Sequence, residues 1–122
     1  MAALRNPEAE AYFAPLSAHD DAASEFTEAL EKLGDCDVRA AGREYGALFA
    51  VTADTVFGGV AGMATTYWRL SNADRGVALA TGAAESKLGP DWVEITLFRS
   101  DWPSPDLRHW ARCAYRYART GR

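Results

Sequence analysis

The sequence predicts an α+β fold: an antiparallel sheet of four to five strands with N- and C-terminal helices packed on one face. Three observations lead there. Apolar residues recur at helical spacing near both ends of the chain, whereas the middle alternates at the two-residue period of strands. Glycine and proline mark the turns and stops between these elements. The 122 residues, 48% hydrophobic and 25% charged, suit one globular domain, with residues 1–16 as an arm and 17–119 as the core.

The first helix signal is Asn6-Pro7-Glu8. Asparagine caps well, proline fits the first helical position, and an acid complements the dipole. Pro15 ends this piece, and Tyr12, Phe13 and Leu16 pin it to the body. Ser17-Ala18-His19-Asp20 then has the form of a capping box. Ala22, Phe26, Ala29, Leu30 and Leu33 follow at three- and four-residue steps, leaving Glu25, Glu28, Glu31 and Lys32 to water. Gly34 supplies the left-handed stop.

The period then changes. Asp35–Ala40 and Glu44–Thr52 read as strands of a hairpin turning at Ala41-Gly42-Arg43. Ala47, Phe49 and Val51 share one face with Tyr45; Gly46, Leu48 and Ala50 share the other. Both faces are apolar, which marks a strand covered on each side. The glycine-rich run Val56-Phe57-Gly58-Gly59-Val60-Ala61-Gly62 reads as a bend or bulge. It lacks the lysine of a phosphate loop, because Met63 follows Gly62, and the dinucleotide-binding pattern fails too.

Ala64–Leu70 is a further strand. Ser71-Asn72-Ala73-Asp74 opens a short helix over Asn72–Thr81, with a turn and strand at Val77–Thr81 as the rival. Gly89-Pro90-Asp91 turns the chain into Trp92–Arg99, where Val93, Ile95 and Leu97 alternate with Trp92, Glu94, Thr96 and Phe98. The last helix begins at Ser104-Pro105-Asp106. Leu107, Trp110, Ala111, Ala114, Tyr117 and Ala118 form its buried stripe, opposite Arg108, Arg112, Arg116 and Arg119.

Charge is unevenly spread. Residues 1–34 carry a net −5, residues 35–102 a net −3 and residues 103–122 a net +4, for −4 in all. Such polarity favours docking of the terminal segments on each other or on oppositely charged partners. An acidic balance argues against a general nucleic-acid binder, although Arg108, Arg112, Arg116 and Arg119 are the candidate anion or nucleic-acid residues. Arginines near a helix C-terminus already favour its dipole and can pair with acids. No apolar run approaches the roughly 20 residues of a membrane span. Met1–Arg5 carries no apolar stretch of the kind a signal peptide needs.

Chemistry-bearing motifs are sparse. Cys36, Cys113, His19 and His109 match no zinc spacing, and the two thiols read as free and cytoplasmic, with a single bridge between them as the alternative. No nucleophile–base pattern is legible, so no catalytic residue, metal or cofactor is assigned. Tyr67, Arg69, Trp92 and Glu94 fall on neighbouring strands and are the candidate ligand-binding residues, since sites combine aromatic walls with a few polar groups. Glu94, flanked by aromatics, is the one carboxylate burial could tune as a general acid or base.

Several stretches carry a resemblance: Leu33-Gly34-Asp35 before Val38-Arg39, Phe57-Gly58-Gly59, Tyr67-Trp68-Arg69-Leu70-Ser71-Asn72-Ala73-Asp74-Arg75, Gly82-Ala83, and the closing Leu107-x-x-Trp110-Ala111 with Ala114-Tyr115. From Phe26 to Ala118 the order of these signals resembles the small α+β domains of the TfoX N-terminal and YjbR-like families. Val56 stands where the TfoX pattern prefers methionine. Trp92-Val93 before the final helix is similar to the small domain labelled luciferase-like. The resemblance implies a regulatory or uncharacterised α+β domain and brings no catalytic residues with it.

The sequence thus favours a non-enzymatic cytosolic binding or regulatory module acting through protein–protein contact. The partner it suits has a basic surface, as a toxin has toward its immunity protein. One alternative is a small-molecule-binding protein or enzyme with a pocket near Tyr67, Arg69, Trp92 and Glu94. The other is a DNA-binding domain using the C-terminal arginines. A homo-oligomer is left open.

Overall fold

The computed structural model describes residues 6–41, 46–98 and 105–121. In chain order the elements are α1 (Pro7–Phe13), α2 (Asp20–Leu30), β1 (Asp37–Ala40), β2 (Leu48–Thr52), β3 (Thr55–Ala61), β4 (Thr65–Arg69), α3 (Asn72–Ala80), β5 (Ala84–Glu85), β6 (Trp92–Thr96) and α4 (Leu107–Thr120). The strands make one antiparallel sheet in the order β1-β2-β3-β4-β6-β5. This is the α+β architecture the sequence predicts, with six strands rather than four or five, and with α1 on the face opposite α2 and α4 rather than beside them. The two unforeseen strands are the two-residue β5 and, more important, β3.

The glycine-rich run is therefore not a simple bend. It is a fully buried strand between β2 and β4. A local bulge is present, because the register shifts between Ala50 and Val51 and leaves Phe57 as the extra residue. The glycines are there for space. A Cβ on Gly58 would come within 2.9 Å of the Trp68 ring, and one on Gly59 would run into Phe13 from the opposite face. Large rings packed close against the backbone on both sides demand glycine at the centre, and composition alone disguises the strand as a loop.

Two cores lie on the two faces. On one, α2 contributes Ala22, Phe26, Ala29 and Leu30 and α4 contributes Leu107, Trp110, Ala111, Ala114 and Ala118, packed over Val60, Trp68, Val93 and Ile95. The predicted helical stripes and the alternation of β6 thus meet as expected. On the other face α1 places Ala9 and Phe13 against Phe49, Val51, Tyr67 and Trp92. Burying a phenylalanine here is worth about 2 kcal/mol, which anchors an otherwise marginal seven-residue helix.

The termini of the helices are partly as predicted. Ser71 Oγ accepts from the Asp74 N–H at 3.3 Å and opens α3, so the helix prevails over the rival strand. α2 is capped by His19, whose Nδ1 accepts from the Asp21 N–H at 3.2 Å, and not by Ser17. Ser17 and Ala18 instead form isolated bridges with Gly46 and Gly62. α2 ends at Leu30, short of Gly34, which is not left-handed. α4 is capped by Asp106, accepting from the His109 N–H at 3.1 Å; the expected cap Ser104 lies outside the described residues, as do Gly42 and Arg43 of the expected hairpin turn, Glu44, Tyr45 and Arg99. Gly121, at φ 74°, supplies its left-handed stop. Among the described residues no helix is long and apolar enough to cross a membrane.

Candidate functional site

The register of β4 on β6 sets Tyr67 opposite Glu94 and Arg69 opposite Trp92, so all four candidate ligand residues come together. What covers them is the protein itself. Tyr67 is 7% exposed and Trp92 3%. The ring of Phe13 meets Tyr67 edge-on at 5.3 Å, and Tyr12 meets it at 5.7 Å. Burial pushes the Tyr67 hydroxyl above the usual tyrosine range, and its hydrogen bond with Tyr12 and the nearby Glu94 add to this. The aromatic half of the constellation is a packed floor beneath α1.

The polar half forms a tie between the helix and the sheet. Arg69 Nη2 donates to Asp91 Oδ2 at 3.2 Å, and its guanidinium lies 5.4 Å from the centre of the Tyr117 ring. The Tyr117 hydroxyl donates to the same Asp91 oxygen at 3.5 Å. Burial raises the Tyr117 hydroxyl's affinity for its proton, with the Asp91 carboxylate adding to it. Arginine, carboxylate and phenol thereby join β4, the turn before β6 and the last turns of α4. Glu94 is half-buried next to β5, where its backbone pairs with Ala84.

The C-terminal arginines do not act as one stripe. Arg108 reaches Glu28 of α2 at 3.6 Å, Arg116 reaches Asp74 of α3 at 3.2 Å, and Arg119 reaches Asp35 at 3.1 Å and Thr52 Oγ1 at 2.8 Å. Arg112 is exposed. Only Arg108–Glu28 joins the basic end to the acidic one as the charge polarity suggests; Arg116 and Arg119 pair with acids of the middle stretch. These pairs are exposed, so each contributes at most about 1 kcal/mol.

Neither thiol is activated. Cys36 and Cys113 are free. Burial, then the Asp37 and Asp35 carboxylates, push the Cys36 thiol up to about 11. Burial and Asp74 likewise raise Cys113, although its sulfur lies 3.7 Å from His109 Nε2. Among the described residues no group of three or more His, Cys, Asp or Glu side chains is placed to hold a metal ion.

Open space lies elsewhere, in clefts lined by none of Tyr67, Arg69, Trp92 and Glu94: one follows the outer face of α2 along Asp20, Thr27 and Glu31, and two others lie between elements. One, of about 350 Å³, sits at the start of α1 over Val51 and Val56, rimmed by Glu10, Arg39 and Asp54. Its wall is built by Asn6, whose side-chain amide donates to Val56 O at 2.7 Å while its Oδ1 accepts from the Val56 N–H at 2.9 Å. The amide thus pairs with the β3 edge as a strand would. The capping role expected of Asn6 falls away, because no side-chain cap bond forms at α1.

The other cleft, of about 230 Å³, runs between α2 and the start of α4 below the end of β6, with Glu25, Glu28, Ala29, Leu97, Phe98 and Arg108 among its walls. Phe98 is 61% exposed and holds φ 58°, a left-handed conformation that costs a bulky residue about 1 kcal/mol or more. The strand ends at Thr96, so Phe98 leaves the face it would share with Trp92 and projects at the rim. Alternation gave no hint of this. No family model, no curated protein and no solved structure matches the chain.

Proposed function

We propose that the protein is a non-enzymatic binding module that docks a basic protein surface on the acidic side of α2, with Phe98 as its anchor. The observation that carries this reading is the exposed Phe98 ring at the rim of a cleft that also holds Glu25 and Glu28. A lysine or arginine side chain has the matching form: an apolar stem that covers a ring and a cationic head that meets carboxylates. Asp20, Asp21 and Glu31 extend the same exposed acidic surface, which steers a cationic partner at low salt. Glu28 already meets Arg108 at 3.6 Å, and both groups are well exposed, so an incoming cation displaces little.

The resemblance to TfoX N-terminal and YjbR-like domains accords with a regulatory role. Two free thiols suit a reducing, cytoplasmic setting. A pocket at Tyr67 and Trp92 is less favoured, since both are buried beneath α1. DNA contact through the α4 arginines is less favoured too, since three of the four meet acids.

The test is calorimetric titration with lysine- and arginine-rich peptides, comparing the protein with Phe98→Ser and with the Glu25→Gln/Glu28→Gln pair. Binding that weakens with added salt and falls at least tenfold in both variants is expected, matching a loss of about 1.4 kcal/mol or more. Equal binding by all three proteins, or none to any basic peptide, would sink the reading.

A further inference from the structure

We infer that β1 pairs with β1 of a second copy of this chain, antiparallel, with Val38 on the two-fold axis. β1 is an outer strand of the sheet, and among the described residues nothing pairs with its free edge. All four of its residues are exposed, and α1 approaches them through the exposed Glu10 side chain. The opposite edge offers far less, because β5 is only two residues long. An exposed strand edge is a template for another strand unless its charges forbid it.

Backbone phase limits the possible registers. The Ala41 N–H donates to Ala47 O at 2.8 Å, continuing the register that sets Arg39 opposite Phe49 and Asp37 opposite Val51. Residues 37, 39 and 41 therefore turn their backbone groups toward β2, and Val38 and Ala40 turn theirs outward. Antiparallel partners exchange hydrogen bonds only between outward-turned residues. An axis through Val38 satisfies this: its N–H donates to the partner's Val38 carbonyl, and the reverse bond forms by symmetry. The other axis through a central residue of the strand, at Arg39, also satisfies it, whereas axes through Asp37 or Ala40 pair fewer of its residues.

Charge decides between these two. With Val38 on the axis, Asp37 stands opposite the partner's Arg39 and Arg39 opposite the partner's Asp37, and the Val38 side chains, 39% exposed in one copy, cover each other. With Arg39 on the axis, arginine faces arginine, a repulsive pair. The segment Asp37-Val38-Arg39 is thus complementary to itself in a single register and poorly matched to a generic edge. Within one copy Arg39 lies 3.6 Å from Asp37 and 3.9 Å from Glu10, all well exposed, so these contacts exchange at little cost. The result is an isologous pair that joins two sheets into one.

Sedimentation equilibrium over the micromolar-to-millimolar range tests this, with circular dichroism confirming that each variant folds. The protein is expected to form a weak, concentration-dependent dimer. Asp37→Arg and Arg39→Asp should each weaken it about tenfold or more. The double variant Asp37→Arg/Arg39→Asp, which restores the complementary pairs in reversed order, should recover it. Val38→Pro removes the outward N–H and leaves the β1–β2 bonds in place, so it should abolish the dimer while the fold persists. A monomer at all concentrations overturns the inference. So does a dimer indifferent to the single charge reversals, a double variant that stays dissociated, or a folded Val38→Pro protein that still dimerises; should Val38→Pro not fold, the charge exchange alone decides.

Discussion

Phe13 occupies the notch left by Gly59: a Cβ built on that glycine would come within 2.6 Å of Phe13 Cε1 and 2.7 Å of Cε2. The same ring lies 6.3 Å from Phe49, with the planes 13° apart, and edge-on to Tyr67. A helix of seven residues is held on the sheet chiefly by this one insertion and by the Asn6 amide at its start. Gly59→Ala is therefore expected to destabilise the protein by about 2–3 kcal/mol through overpacking. Urea denaturation checks it. The double variant Gly59→Ala/Phe13→Leu should cost less than the two single changes added together, because the shorter side chain vacates the clash.

Asn6 is the second anchor of α1. Asn6→Ala leaves the Val56 N–H and carbonyl without their partners at a site where Asn6 is 3% exposed, and the expected loss is about 2 kcal/mol. Asn6→Asp should not restore it, since a carboxylate can accept from the Val56 N–H but only repels the Val56 carbonyl. Equal denaturation midpoints for the parent and Asn6→Ala would refute this account.

The opposite core contains a buried polar relay. Trp68 Nε1–H donates to Thr66 Oγ1 at 3.0 Å, and the Thr66 hydroxyl donates to Ile95 O at 2.9 Å. Both residues are fully buried. Thr66→Val keeps the shape and strands the indole N–H, with an expected cost of about 1–3 kcal/mol. Thr66→Ser keeps the hydroxyl and should cost less. The order of the two midpoints in denaturant is the measurement.

Alkaline pH should weaken the fold through the Cys36 thiol. In the folded chain its proton is held up to about 11 against an ordinary 9.0, through burial first and then Asp37 and Asp35. A group raised on folding contributes stability in full below its unfolded value, and that contribution is lost as pH climbs through the folded one. Stability should therefore decline between about 9 and about 11. Cys36→Ser should show a shallower decline over the same window in urea titrations. Tyr67, raised as well, contributes to the slope of both proteins and so cancels in the comparison.

Local chemistry was legible wherever one turn of chain decides the outcome. Serine and aspartate at 71 and 74 announce α3, and the stripe from Ala22 to Leu30 announces α2. The alternation of β6 correctly assigns Val93, Ile95 and Leu97 to the core. Even the gathering of Tyr67, Arg69, Trp92 and Glu94 could be read, because adjacent antiparallel strands with matched faces bring such residues together. Their use could not be read. Whether an aromatic strand face lines a pocket or lies under a helix depends on where α1 docks.

Residues a few positions apart set the periods of the helices and strands, the Ser71 start of α3 and the charge polarity of the two ends, and these are what can be read from the chain alone. That Gly58 and Gly59 form the middle of a sheet, that Asn6 serves Val56 rather than its own helix, and that Phe98 stands out at a cleft follow from packing across the whole chain. Each of these joins segments far apart in the chain, and the free energy of such a contact comes from excluding water and matching shape across the fold. No local pattern of residue types encodes that.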